Sequence, residues 1–119
     1  MSDTRYEIRR AMAGDADAVA GLAAELAQSF AFSQEKFRRS YPALLATEDA
    51  CLLLAVDGEE CLGYLLGFLH LTFYANGPVA WIEEVLVRRQ DRAGLAARWS
   101  MSERLTRQNL CEAQAPCRP

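Results

Sequence analysis

The chain has 119 residues, of which 51% are hydrophobic and 24% charged. This length allows one domain with its own core and is too short for two. No apolar run reaches the roughly 18–20 residues of a membrane-spanning helix, and the polar start MSDTRYEIRR lacks the apolar stretch of a signal peptide. We therefore expect a cytoplasmic protein without a membrane partner. The net charge of −3 argues against a nucleic-acid partner.

The charge is unevenly distributed. Residues 1–87 carry a net charge of −7, whereas residues 88–119 hold seven arginines against Asp91, Glu103 and Glu112. Two interpretations stand: a basic tail that arose by chance, or a cationic patch that binds a phosphorylated ligand.

The four cysteines predict neither a disulfide framework nor a metal site. Cys51 and Cys61 lie in two strand-like runs with no hairpin register that places them opposite each other, and Cys111 and Cys117 lie in a polar tail. None of the spacings suits zinc, and the single histidine, His70, cannot complete a histidine-rich site. We predict free thiols and no metal.

The first half of the chain predicts a strand followed by two helices. YEIRRAM (6–12) alternates like a strand. Asp15 and Asp17 then favour the start of a helix, and Ser33 is suited to cap a second helix. Pro42 should kink or restart the second helix. Apolar residues recur at helical spacing in both, as core stripes: Val19, Leu22, Ala23, Leu26, Phe30, Phe37, Tyr41, Leu44 and Leu45.

The second half predicts three strands and a helix. CLLLAV (51–56), the turn DGEE and CLGYLLGFLHLTF (61–73) form a hairpin that is apolar on both faces. Gly63 and Gly67 mark a bulge or a close backbone approach. YANGP (74–78) is a loop, VAWIEEVLV (79–87) is a strand, and a helix follows. The fold class is α/β (α+β), with a mixed, mainly antiparallel sheet flanked by helices. The domain spans 1–108, and 109–119 form a polar tail.

Two adjacent carboxylates lie within the last apolar strand. Glu83 and Glu84 cannot both face one site, because successive strand residues point to opposite faces. One is expected to face a cleft, where partial desolvation suits a general base. The alternative is that the strand simply emerges into solvent at this point.

The stretch TFYANGPVAWIEEVLVRRQDR (72–92), with the turn and helix after it, resembles the acetyl-CoA signature of the GNAT N-acetyltransferase superfamily. The preceding elements match that family in order, and the resemblance covers residues 5 to 108. It implies acetyl transfer from acetyl-CoA to a primary amine, with Glu83 as the first choice of general base and Glu84 as the second. A small-molecule amine or a protein amine would be the acceptor.

The resemblance also assigns binding residues. It implies that the backbone of Val85, Leu86 and Val87 pairs with pantetheine, and that the acceptor side includes His70, Tyr74 and Asn76. The pyrophosphate would lie at the following turn, which comprises Arg92, Ala93, Gly94, Leu95, Ala96 and Ala97.

The chain departs from the family pattern at two places. Read without a gap, Ala93 and Leu95 occupy the two expected glycine positions, whereas one deleted residue would restore Gly94 and Ala96 to family-like places. The segment after residue 108, NLCEAQAPCRP, contains no apolar strand, so the fold is expected to be truncated after the helix that follows the fourth strand. The strand 79–87 is then an apolar edge, which predicts a homodimer. The alternative to an enzyme is a catalytically impaired remnant that acts as a dimeric or interaction module.

Overall fold

The computed structural model describes residues 6–27, 31–74, 76–88 and 101–109. Four strands form one antiparallel sheet in the order β1-β2-β3-β4, and three helices accompany it, which confirms the predicted element order. Residues 101–109 are helical and are called α3 here. The other elements are β1 (Glu7–Arg10), α1 (Ala16–Leu26), α2 (Gln34–Ala46), β2 (Ala50–Asp57), β3 (Glu60–Thr72) and β4 (Gly77–Val87).

A partly buried ion pair fixes the connection from β1 to α1. A short 3-10 turn, Ala13–Asp15, precedes the helix. The Arg9 guanidinium donates two hydrogen bonds of 2.9 Å to the Asp15 carboxylate, which also accepts from the Met12 N–H at 2.7 Å. The hydrogen bond from Arg9 holds the pKa of Asp15 below its ordinary value. The carboxylate predicted to favour the helix start therefore also ties that start to the sheet.

Helix α2 begins where the sequence predicts. The Ser33 hydroxyl accepts a hydrogen bond from the Lys36 N–H at 3.2 Å, as an N-cap does. Pro42 lies inside the uninterrupted helix, so the expected restart at this residue is wrong. Proline removes one backbone hydrogen-bond donor from the helix. The packing of Tyr41, which is 4% exposed, holds this turn of the helix against the sheet.

The β2–β3 hairpin is the centre of the sheet. Asp57 pairs with Glu60 across a two-residue turn in which Gly58 has φ 63°, a conformation that glycine adopts without strain. Residues 50–56 of β2 are all buried. Both faces of this hairpin are covered, as its continuous apolar sequence predicts.

Each face of the sheet has its own core. On one face, α1 and α2 bring Val19, Leu22 and Tyr41 against even-numbered residues of the hairpin: Leu52, Leu54, Val56, Tyr64 and Leu66. On the other face, α3 brings Met101 and Leu105 against Cys51, Leu53, Ala55, Leu62, Leu65 and Val87. Alternation along the strands decides which residue joins which core.

A β-bulge interrupts the pairing of β3 with β4. Leu66 lies opposite Glu84, but the next residue, Gly67, lies opposite Ile82, so that Glu83 is the extra residue. Gly63 and Gly67 are both sites of close approach, as predicted. A Cβ at Gly63 would lie 2.7 Å from the Leu86 carbonyl oxygen.

The second close approach is between Gly67 in β3 and the end of α3. A Cβ at Gly67 would lie 2.8 Å from Nδ2 of Asn109, and Asn109 is 1% exposed. Neither side-chain polar atom of Asn109 has a hydrogen-bond partner within the described residues. Asn109, which the sequence assigns to the tail, is thus the last described residue of α3, and the predicted tail from 110 onward lies outside the described residues.

The outer edge of β4 has no partner strand in the part of the chain that the structure describes. Apolar side chains are exposed along this strand and at the adjoining end of β3: Leu71, Phe73, Tyr74, Trp81 and Ile82. The homodimer predicted for this edge stays a prediction. Neither Cys51 nor Cys61 forms a disulfide within the described residues. None of the described helices is long and apolar enough to cross a membrane.

We predict that Asp15→Asn lowers the free energy of unfolding by about 1–2 kcal/mol, because it removes a charge-assisted hydrogen bond and a helix-start acceptor. The folded-state pKa of Asp15 lies below its ordinary value of 3.8. The stabilisation is therefore fully present above pH 3.8 and is lost as the pH falls through the lower folded-state pKa. Denaturant titrations from pH 7 to pH 2 measure this.

Asp17→Asn, in an exposed position of the same helical turn, is the matched control and should change stability by only a few tenths of a kcal/mol. A pH-independent difference for Asp15→Asn would contradict the assignment.

We predict that Gly67→Ala destabilises the fold by about 1–3 kcal/mol, because the new methyl group would overlap the Asn109 amide. The double variant Gly67→Ala with Asn109→Ala should recover part of this loss. Gly21→Ala is the control: nothing lies within 4 Å of a Cβ there, and in the middle of α1 it should stabilise by roughly 0.5–1 kcal/mol. Equal effects of the two glycine substitutions would show that α3 does not dock on Gly67.

Candidate active site

A cavity of about 520 Å³ lies between α1, α2 and the sheet. This volume is in the range of small-molecule sites, roughly 300–1,000 Å³. Helix α1 contributes Val19, Ala23 and Leu26, and the strands contribute Leu52, Tyr64, Leu66 and Glu84. The wall formed by α2 and the residues before it includes Phe32, Lys36, Phe37, Ser40, Tyr41 and Leu44.

Small side chains in α1 and directly after it leave space for the cavity. Ala23 and Ala27 line it at positions where a larger apolar residue would fill the space. The facing wall is aromatic: the ring centroids of Phe32 and Phe37 are 5.8 Å apart, and those of Phe37 and Tyr41 are 5.5 Å apart. The Tyr41 hydroxyl is occupied, since it donates to the Met12 carbonyl at 2.8 Å, and burial raises the pKa of Tyr41 to about 12.

One carboxylate faces this cavity. Glu84 is partly buried on β4, and its Oε1 accepts a hydrogen bond of 2.8 Å from the Tyr64 hydroxyl. Tyr64 is 2% exposed, and burial, followed by the hydrogen bond and charge of Glu84, raises the pKa of Tyr64 far above its ordinary value of 10. Tyr64 is therefore a permanent donor. It fixes one oxygen of Glu84 and leaves Oε2 without a donor among the described residues.

The structure places the two glutamates differently with respect to the cavity, and which of them acts as the base stays a prediction. Glu83, the first choice from the sequence, is exposed at the bulge and does not line the cavity. Glu84, the second choice, does. The physical reason is the register: Glu84 lies directly opposite Leu66, whose side chain belongs to the core under α1 and α2, whereas Glu83 has no partner on β3.

The residues expected to bind the cofactor fall into two groups. Val85, Leu86 and Val87 continue β4, where they pair with Leu65, Tyr64 and Gly63 on the inner edge. Backbone groups on the outer edge of this segment face no described strand, which fits an extended ligand chain that pairs along it. Arg92, Ala93, Gly94, Leu95, Ala96 and Ala97 lie outside the described residues, and so does the choice between the two alignments of that turn.

The three residues expected on the acceptor side do not reach the cavity. His70 is exposed and packs edge-on against Trp81, with ring centroids 5.7 Å apart. Tyr74 is 83% exposed beyond the end of β3. Asn76 is exposed in the loop before β4, with φ 60°. Their role in acceptor binding stays a prediction, and the structure assigns the cavity to other side chains.

The sequence did not single out Tyr64, whose hydroxyl holds the Glu84 carboxylate. Its signal was available: Tyr64 is the one residue with a hydroxyl in the apolar run CLGYLLGFL. A buried tyrosine hydroxyl needs a partner, and an antiparallel pairing of two neighbouring strands brings Glu84 within reach. The bulge at Glu83 sets the register of this pairing, and the sequence did not indicate that the bulge lies at this residue. The described residues contain no group of three metal-ligating side chains that could hold an ion.

No protein-family model matches this sequence, and no curated protein does. The structure, however, is similar to several solved structures. An aminoglycoside 6′-N-acetyltransferase from Acinetobacter haemolyticus superposes with a TM-score of 0.72 at 23% identity, over 91% of this chain and 71% of that chain. This chain has the GNAT acetyltransferase fold.

Two other structures extend the comparison. A transcriptional regulator from Bacillus halodurans has a TM-score of 0.74 at 18% identity, over 92% of this chain and 75% of that chain. The enzyme AAC(6′)-Iy, in complex with the bisubstrate analogue CoA-S-monomethyl-acetylneamine, has a TM-score of 0.63 at 16% identity. The match covers 88% of this chain and 74% of that chain. The GNAT resemblance stated from the sequence is thus confirmed at the level of the fold.

We predict that Tyr64 and Glu84 are energetically coupled. In a double-mutant cycle of Tyr64→Phe and Glu84→Gln, the coupling free energy should be about 1 kcal/mol, because each single change removes the same charge-assisted hydrogen bond. Urea unfolding of the four proteins measures it. Tyr41→Phe with Glu84→Gln is the control cycle, since the Tyr41 hydroxyl donates to Met12 instead, and its two effects should add. Additive effects in the Tyr64 cycle would contradict the contact.

Proposed function

We propose that this chain is an N-acetyltransferase that moves an acetyl group from acetyl-CoA to a primary amine, with Glu84 as the general base. The observation that carries this proposal is the Glu84 carboxylate. One of its oxygens is held by Tyr64 at 2.8 Å, and the residue lines an otherwise mostly apolar cavity. It lies on a strand whose outer edge pairs with no other described strand. The shared fold with acetyltransferases supports it.

The chain supplies positioning and proton transfer. Bound acetyl-CoA supplies the acetyl group as a thioester along the outer edge of Val85–Val87. An amine in the cavity reaches Glu84 Oε2, which takes the proton as the amine nitrogen forms a bond to the acetyl carbon. The carbon–sulfur bond breaks, and the CoA sulfur leaves with the electron pair. Tyr64 keeps Glu84 in one rotamer, so less conformational freedom has to be lost when the amine binds.

The second candidate function is the dimeric or interaction module. The exposed apolar residues Leu71, Phe73 and Trp81 beside the outer edge of β4 favour it, and the occupant would be a second copy of this chain. Acetyl-CoA binding distinguishes the two functions. A ligand that binds only the folded state raises the melting temperature, and an interaction module without a cofactor site would show no such rise.

We predict that Glu84→Gln lowers kcat by about 10²–10⁴-fold, the usual loss when a general base is removed. The affinity for acetyl-CoA should change little, because the proposed cofactor contacts are made by the backbone. Release of the CoA thiol in the presence of amine measures turnover, and calorimetry measures cofactor binding. Glu83→Gln, adjacent on the same strand and exposed, is the matched control and should stay within a few-fold of the wild type. A large loss for Glu83→Gln with an active Glu84→Gln would return the role of base to Glu83.

A further inference from the structure

Few of the described side chains that line the cavity are charged. Its described lining contains one carboxylate, Glu84, and one amine, Lys36, and the remaining side chains are apolar or uncharged. Lys36 is exposed on α2, whereas Glu84 lies on the sheet. One end of a ligand can therefore pair with a carboxylate, and the rest of the ligand meets no second carboxylate among the described lining residues.

The shape and lining favour an apolar ligand body. The aromatic wall runs from Phe32 through Phe37 to Tyr41, and Leu44, Leu52 and Leu66 also line the space. A volume of about 520 Å³ accommodates a ring and a short chain. Aromatic rings gain from edge or offset contacts with such a wall beyond simple burial of area.

A polycationic ligand fits poorly for the same reasons. A second ammonium group in the cavity would lose its water without gaining a carboxylate, which is costly. Near α2 it would also approach Lys36, which carries the same charge. Glu35, one residue away, points its carboxylate to solvent, with an 82% exposed side chain beside Arg39.

We propose that the acceptor is a primary monoamine on an apolar, preferably aromatic, body. Its amine group contacts Glu84, and its body lies between α1 and α2 against Phe37. This inference rests on the proposed function for the acetylation step, and the binding step stands independently of it.

Calorimetry on the full chain tests the binding step with three probes. 2-Phenylethylamine and ethylamine carry the same charge and differ only in the apolar body. Burial of the ring should make 2-phenylethylamine bind roughly tenfold to a hundredfold tighter than ethylamine. Spermidine, a polyamine, should bind more weakly than 2-phenylethylamine despite its higher charge.

Two variants with matched controls locate the site. Ser40→Trp places a large side chain at an exposed position that lines the cavity, and it should weaken 2-phenylethylamine binding about tenfold, the lower end of what ring burial contributes. Ala43→Trp, exposed on the same helix but outside the cavity, should not. Glu84→Gln should weaken binding roughly tenfold through loss of the charged partner. Glu103→Gln, on α3 at the other face of the sheet, should leave it unchanged.

The outcomes separate this inference from the proposed function. Tight binding of 2-phenylethylamine that responds to Ser40→Trp and Glu84→Gln supports the acceptor class even if no acetyl product forms, in which case the proposed function fails alone. Acetylation of spermidine in preference to 2-phenylethylamine would overturn the acceptor class and leave the proposed function standing. Equal affinity for 2-phenylethylamine and ethylamine, or equal effects of the Ser40 and Ala43 variants, would also overturn it.

Discussion

The candidate site depends on one extra residue in β4. Because Glu83 is inserted opposite the Leu66–Gly67 step, the alternation of side chains between the two faces of the sheet shifts by one residue at this point. Glu84 and Leu86 share the face of α1 and α2 with Tyr64 and Leu66. Before the bulge, Ile82 lies opposite Gly67. In a regular strand of the same sequence, without a bulge, Ile82 and Glu84 would lie on one face, and an apolar side chain would adjoin the carboxylate.

The Tyr64–Glu84 hydrogen bond orients the carboxylate that the bulge turns toward the cavity. A carboxylate at the floor of a mostly apolar cavity loses part of its hydration, and one strong donor offsets part of that loss. The donor comes from the strand next to β4 and is almost fully buried, so its position is set by the core. The same core that stabilises the hairpin therefore orients the group that is proposed to accept a proton.

The two faces of the sheet are packed differently. Under α3, close contact extends to Gly67, where the buried Asn109 amide lies against the backbone. Under α1 and α2, Ala23 in α1 and Ala27 directly after it leave a cavity beside the aromatic wall. A tightly packed face supports the strands, and an open face leaves room for a ligand. The bulge lies between the tightly packed face and the open face, since Gly67 contacts α3 and its neighbour Leu66 faces the cavity.

The sequence by itself determined the order of elements, the hairpin with its glycine turn, the Ser33 cap and the apolar faces, because these follow from local periodicity and turn chemistry. It also determined that a carboxylate would lie inside the fourth strand. Only the tertiary structure decided which carboxylate faces the cavity, because a bulge depends on how two strands pair and reverses the side on which residues fall. It alone showed that Pro42 is tolerated within α2 and that Asn109 packs on Gly67. Both depend on contacts between residues that are distant in the chain, which local patterns do not record.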